Sequence, residues 1–292
     1  MNVGSMVGQV YEDGVLTNCK SGGSIVCYGR NGYGDINVGG LAGLVTQDNQ
    51  NEPDITKCAS NTDIKTYYET TYNTTAHMNV GGFAGYLLGC NIYDSKAEGT
   101  MDCRSAETNL GGFIGKAATY FNYGYGNSYY PLITGSFSKM DILYMDIQST
   151  SNIGGFIGEA TKTIETDDKW ICTNCYASTH FDSTSRSDAI PALFIKENHG
   201  NTRFHYNHAV ERDANGTIVS SLFFDGHYDI GNNNSLYNYA LSKPTNWIPT
   251  DVGYIYTLDE YNLPTTFTGF DFDNIWEIKD GASYPTLQDN PE

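Results

Sequence analysis

One heptad recurs along the chain, and a recurring segment too short to bury its own apolar face constrains the fold more than any other feature. It reads NVGSMVG from Asn2, NVGGLAG from Asn37, NVGGFAG from Asn79, NLGGFIG from Asn109 and NIGGFIG from Asn152. The copies begin 35, 42, 30 and 43 residues apart, so the motif is constant while the connections vary. A second, weaker segment follows each heptad: LTNCKSGGSI from Leu16, ITKCASNTDI from Ile55, IYDSKAEGTM from Ile92, LITGSFSKMDI from Leu132 and WICTNCYASTHF from Trp170. Aligned on their small residues, these segments put Cys19, Cys58, Ser95, Ser136 and Cys175 in one column. Ser21, Ser60, Ala97, Ser138 and Ala177 form another, and Ile25, Ile64, Met101, Ile142 and Phe181 an apolar third. Alternate positions that stay small or apolar in every copy mark the face of a strand turned toward a shared interior.

Such copies bury their apolar faces by stacking like on like, about 4.8 Å per strand layer. The expected fold is all-β, a parallel β-helix or β-solenoid. Gly39, Gly40 and Gly43, with their equivalents, are expected at corners, where φ is positive or a Cβ would strike the next layer. The Asn heading each heptad is expected to hydrogen-bond its equivalents above and below as a ladder.

Composition supports strands over helices: 32 of 292 residues are Gly, and 23 Tyr outnumber 13 Phe and 3 Trp together. The 16 Lys and Arg against 34 Asp and Glu leave a charge of −18, which repels phosphate backbones and anionic membrane surfaces and excludes nucleic acid as a partner. No run approaches the roughly 18 apolar residues of a membrane span, and the N-terminus lacks a basic segment followed by an apolar one, so direct membrane insertion is not expected. Seven cysteines, an odd number, argue against a disulfide framework of the small secreted type.

The GG-[LF]-x-G heptads with their small-residue strands resemble the GLUG-motif repeats of bacterial cell-surface proteins and of the ectodomains of IgA-specific metallopeptidases, over about residues 2 to 183. FDFDNIWEIKDGASYPTL from Phe270 looks like the closing segment that follows such repeats. The resemblance implies a right-handed parallel β-helix with an extracellular or cell-surface location, and it implies no catalysis and no cofactor. The peptidases' HExxH helix is absent, since His208 is followed by Ala209, Val210 and Glu211.

Along the chain, residues 1–183 read as five coils, 184–240 as degenerate coils, and 241–292, with Pro244, Pro249, Pro264 and Pro285, as a C-terminal β-rich cap. The array opens inside a heptad with no polar cap, so a larger parent polypeptide or an oligomer is expected to cover that end. Two loops are rich in tyrosine. One carries Tyr67, Tyr68 and Tyr72, the other Tyr120, Phe121, Tyr123, Tyr125, Tyr129 and Tyr130. Long loops in repeat proteins gather on the binding face, and Tyr combines contact area with a polar tip, so these are the expected ligand-binding residues for a host or cell-surface protein or glycan. The expected function is a non-enzymatic surface or secreted module, an adhesin stalk or ligand-binding scaffold. The rival class is a carbohydrate-active β-helix, a tail-spike-type glycan depolymerase or lyase.

Other chemistry-bearing residues have ordinary readings. Cys172 and Cys175, near His180, form a lone CxxC and are expected as buried thiols. His199, His205 and His208 follow no ligand spacing and are expected on a surface loop. Asp63 and Asp167, more than 100 positions apart, are about three layers from each other, too far for the ~6.5–9.5 Å of an inverting glycosidase pair, and Asp168 reads as solvated charge. Asp271 and Asp273 are candidate Ca²⁺ ligands without EF-hand spacing. Cys27 and Cys103 share a column but are separated by a layer, too far for a disulfide. The sequons at Asn73, Asn215 and Asn233 are what chance provides in so Asn-, Ser- and Thr-rich a chain.

Overall fold

The computed structural model describes residues 1–30, 34–47, 53–69, 77–104, 108–122, 127–145, 151–161, 170–183, 191–199, 202–216, 218–230, 263–267, 270–278 and 285–288. The Asn-aliphatic-Gly start of each heptad forms a short strand: Asn2–Gly4, Ile36–Gly39, Met78–Gly81, Thr108–Gly111 and Asn152–Gly154. A two-residue turn leads to a second strand, Val7–Tyr11, Ala42–Thr46, Ala84–Leu88, Ile114–Ala118 and Ile157–Thr161. The weaker segments give a three- or four-residue strand followed by a long one, which runs through Lys20–Arg30, Ala59–Glu69, Lys96–Arg104, Phe137–Met145 and Tyr176–Ser183 in successive copies. Like strands pair in parallel with like, Asn over Asn and Ile over Ile, so the chain is a β-solenoid whose registers reproduce the three sequence columns.

Positive φ falls elsewhere than expected. The heptad glycines do not adopt it; one left-handed residue recurs at the corner before the long strand of each coil, Asn18 (φ 54°), Lys57 (54°), Asp94 (48°), Gly135 (61°) and Asn174 (53°). That corner bends the chain within a single residue, which an αL residue accomplishes and which Asn, Asp and Gly tolerate best. The heptad glycines are required by space instead. A Cβ on Gly39, Gly81, Gly111 or Gly154 would run into the carbonyl three residues on, and one on Gly40, Gly82 or Gly112 into the equivalent glycine's carbonyl in the next layer.

The interior is a set of ladders. Phe83, Phe113, Phe156 and Phe194 stack with centroids 4.6, 4.8 and 4.9 Å apart. The heptad asparagines form the expected amide ladder: Nδ2 of Asn37, Asn79, Asn109 and Asn152 each donates to Oδ1 of the preceding Asn at 2.8, 2.8, 2.8 and 2.9 Å. Glu159 braces it, accepting from Asn109 Nδ2 at 2.6 Å while pairing with Lys116 at 3.1 Å. The small column has a use that composition concealed. Ser21 Oγ donates to Gly40 O at 2.9 Å and Ser138 Oγ to Gly155 O at 3.1 Å, satisfying carbonyls at the heptad turn.

Past the fifth heptad the coil continues without the motif. Ala192 bridges Gly154, Ile195–His199 pairs with Ile157–Thr161, and Thr202–Arg212 runs along both Trp170–Thr173 and Tyr176–Ser183. Ile218–Ile230 then pairs antiparallel to that last strand, ending the parallel stacking. The hairpin of Trp276–Glu277 with Thr286–Leu287, together with Phe267 and Phe270, covers a flank of the later coils. There the outward column that begins Lys20, Ala59, Lys96 continues as Phe137, Tyr176, His208, so it turns aromatic where it is covered. His208 is fully buried, 4.5 Å from the Phe267 ring and 5.3 Å from Phe270, so it does not lie on the surface loop expected for it. The loop reading failed because His199 and His205 are also in strands, and the strand periodicity of NHGNTRFHYNH is masked by polar residues.

Three outcomes follow from this packing. Gly112→Val places its side chain against Gly155 O and Ser138 Oγ and should cost about 3 kcal/mol in urea unfolding, whereas Gly22→Ala, whose nearest neighbour is Asn61 O at 3.2 Å, should stay within about 1 kcal/mol of the parent. Asn79→Ala, in the fully buried middle of the ladder, leaves Asn37 Oδ1 without its donor and should cost about 1–3 kcal/mol, more than Asn2→Ala at the ladder's end. Burial pushes the His208 imidazole well below its ordinary 6.5, so it is neutral in the fold. The unfolded chain takes up that proton below about 6.5 while the native state does not, and stability therefore falls as pH drops from there. Glu211 and Asp94, whose carboxyls burial pushes up, bind protons more readily in the fold and oppose this trend. Thermal melts between pH 7.5 and 5 should show a smaller loss in His208→Phe than in the parent; identical slopes would contradict the assignment.

Candidate binding surface

The two tyrosine-rich loops leave the solenoid at different corners. The first connects the long strand Ala59–Glu69 to Met78–Gly81, and the second connects Ile114–Ala118 to Leu132–Thr134. Tyr72, Tyr123 and Tyr125 lie outside the described residues, and Tyr68 is described only as backbone of its strand. In the second loop, Tyr120–Asn122 and Asn127–Tyr129 form a small antiparallel hairpin that sets the Tyr120 and Tyr129 rings 6.3 Å apart, with both residues and Phe121 half-buried. Tyr130 packs against the main core and has a structural use there.

Tyr67 belongs to a feature that the loop-based reading did not contain. It sits on the outer face of the long sheet, where parallel register puts Tyr28 beneath it and Arg104 above it. The Tyr28 and Tyr67 rings stack with centroids 5.0 Å apart and planes at 14°, and the Arg104 guanidinium lies 5.4 Å from the Tyr67 centroid. Asp102 orients Arg104 through hydrogen bonds from Nε at 3.2 Å and Nη2 at 3.4 Å. Tyr28 is 73% exposed. A strand's outward residues repeat once per layer, so the column converts three positions remote in sequence into one continuous platform with an aromatic face and a cationic edge. Extending the repeat alignment two residues beyond the Cys27 and Thr66 column would not reach it, but one residue does, pairing Tyr28 with Tyr67.

The remaining candidates are placed as follows. Cys172 and Cys175 are fully buried, with Cys172 Sγ donating to Asn207 Oδ1 at 3.8 Å and Cys175 Sγ to Thr173 O at 3.3 Å; burial pushes the Cys172 thiol well up, so it stays protonated. Thr66 separates Cys27 from Cys103, as the column predicted. His180 Nδ1 is 2.8 Å from Arg212 O, and Asp63 accepts from Thr100 Oγ1 at 2.7 Å, both on the outer face of the long sheet. Asp271 closes a local turn, accepting from the backbone N–H of Asp273 and Asn274, both at 3.0 Å, and from Asn274 Nδ2 at 2.9 Å. The Asn274 side chain, followed by these backbone donors, holds the Asp271 carboxyl below its ordinary range. Asp167 and Asp168 lie outside the described residues. Among the described residues, no group of three or more His, Cys, Asp and Glu is arranged to hold a metal ion, and no helix is long and apolar enough to cross a membrane.

Stacked parallel coils with an amide ladder and glycine-tight turns define the class: a β-solenoid built from repeats. The family described as the GLUG motif matches residues 76–101, which take in the third heptad and the first six residues of its long strand, so this solenoid carries a GLUG repeat. No curated protein and no solved structure matches the chain.

Proposed function

We propose that the chain is a non-enzymatic binding module, a scaffold of the cell surface or the extracellular space whose ligand is a glycan or protein of a host or neighbouring cell. The observation that carries this reading is the exposed Tyr28–Tyr67 stack edged by Arg104. Flat aromatic faces bind the apolar faces of sugar rings or the aliphatic stems of protein side chains, and exposing them to water is unfavourable unless a partner covers them. The charge of −18 directs the surface toward neutral or basic ligands. The hairpin carrying Tyr120 and Tyr129 is a second contact on another corner. A rigid stack of coils suits this role, because layer spacing fixes the distance between contacts without a conformational change.

The test is binding to glycan and protein arrays, by the parent and by a variant with Tyr28→Ser and Tyr67→Ser. These side chains point out of the solenoid, so the melting temperature should hold while affinity for the array hit falls tenfold or more, about 1.4 kcal/mol. Equal binding by the two proteins would remove the platform from the site. Release of new reducing ends or unsaturated sugars from any glycan on the array would instead establish the depolymerase or lyase class.

A further inference from the structure

Cys19 and Cys58 occupy the same column in the first and second coils. Their register is fixed on both sides, by Thr17 over Thr56 and Lys20 over Ala59. In-register parallel strands place such a pair about 4.8 Å apart at Cα, within the about 4.4–6.8 Å that a disulfide spans. Sulfur is already at the contact: the Cys19 N–H donates to Cys58 Sγ at 3.4 Å, and the Cys58 thiol reaches Leu16 O in the first coil at 3.4 Å. Cys19 is half-buried and Cys58 buried, so one of the two is open to a reagent in solution. No other cysteine pair in the described residues combines these properties. Cys27 and Cys103 are held apart by Thr66, and Cys172 and Cys175 touch but are both fully buried.

We propose that Cys19 and Cys58 are a modification site, forming a disulfide that fastens the first coil to the second in oxidising surroundings, with Cys19 as the entering thiol. The oxidant is a small disulfide such as glutathione disulfide. The Cys19 thiolate attacks one of its sulfurs and releases one glutathione thiolate, which takes up a proton. Cys58 then gives its proton to solvent, attacks the Cys19 sulfur of the mixed disulfide and displaces the second glutathione. Two protein thiols lose two protons and two electrons, and the oxidant becomes two thiols. Burial pushes the Cys58 thiol up to about 11, so the second step quickens about tenfold per pH unit through the neutral range. The link joins the first coil, which carries the exposed Met6, Tyr11, Val15 and Val26, to the second. A cross-link closing a loop over 39 residues restricts the unfolded chain and holds the two coils together.

The full chain is incubated at pH 8 over a series of glutathione disulfide concentrations, quenched with acid, alkylated in denaturant and mapped by mass spectrometry. The expected result is a Cys19–Cys58 cross-linked peptide that grows with oxidant and forms faster at pH 9 than at pH 7. A melting temperature several degrees above that of reduced protein should accompany it, a rise that Cys19→Ser abolishes. That variant folds, since serine holds the same column at Ser95 and Ser136. Recovery of both cysteines as alkylated thiols at every concentration would overturn the proposal. So would a stable glutathione adduct on Cys19 with Cys58 unreacted, or a rise in melting temperature that Cys19→Ser shares.

Discussion

Backbone-to-backbone contact at the heptad turn is the constraint on which the rest of the molecule depends. The carbonyls of Gly82, Gly112 and Gly155 occupy the space where Cβ atoms of the preceding layer's equivalent glycines would stand. With no side chain between them, successive turns close to strand spacing, and each column must then stack like on like. The phenylalanine stack and the amide ladder are consequences of that spacing. Rings 4.6 to 4.9 Å apart and amides bonded at 2.8 to 2.9 Å both need layers that neither slip nor spread.

The ladder also fixes direction. Asn37, Asn79, Asn109 and Asn152 each donate toward the N-terminal end, so these amide dipoles align along the axis and polarise one another in the same sense. A second column at the corner donates the other way along the axis: the backbone N–H of Cys19 to Cys58 Sγ, that of Cys58 to Ser95 Oγ, that of Ser95 to Ser136 Oγ, and further along that of Cys175 to Asn207 Oδ1 at 2.9 Å. The polar atoms of these two columns are therefore satisfied by repetition. A residue that breaks the repeat breaks a bond in its own layer and in an adjoining one.

Once the interior is committed to ladders, chemical variety moves outward. The long sheet's outer columns change character along the axis: Lys20, Ala59 and Lys96 give way to Phe137, Tyr176 and His208 under the C-terminal segment, while Tyr28 remains open to solvent and Tyr67 half-buried beside it. The same register that builds the core thus builds both a covered flank and an exposed aromatic one. Whether a column is covered or open is set by where the segment containing Phe267, Phe270 and Trp276 comes to rest.

The sequence by itself determined the layer. The heptad glycines, the leading asparagines and the three columns running through Cys19, Ser21 and Ile25 needed only local periodicity to be read, because in a stacked fold a contact between layers is an identity between repeats. What the tertiary structure decided lies where that rule lapses. Positive φ went to Asn18, Lys57, Asp94, Gly135 and Asn174, equivalent corner positions of five coils that share no single residue type. The coil through Ala192 and Asn207 has lost the heptad but keeps the strand pairing, the phenylalanine stack through Phe194 and a corner bond through Asn207. Tyr28 and Arg104 joined Tyr67 because their columns align, although they lie outside its loop, and His208 was drawn from a polar stretch into an aromatic cage by a segment some sixty residues further along the chain. Contacts between unlike elements leave no repeat in the sequence, and the packing of the folded chain settles them.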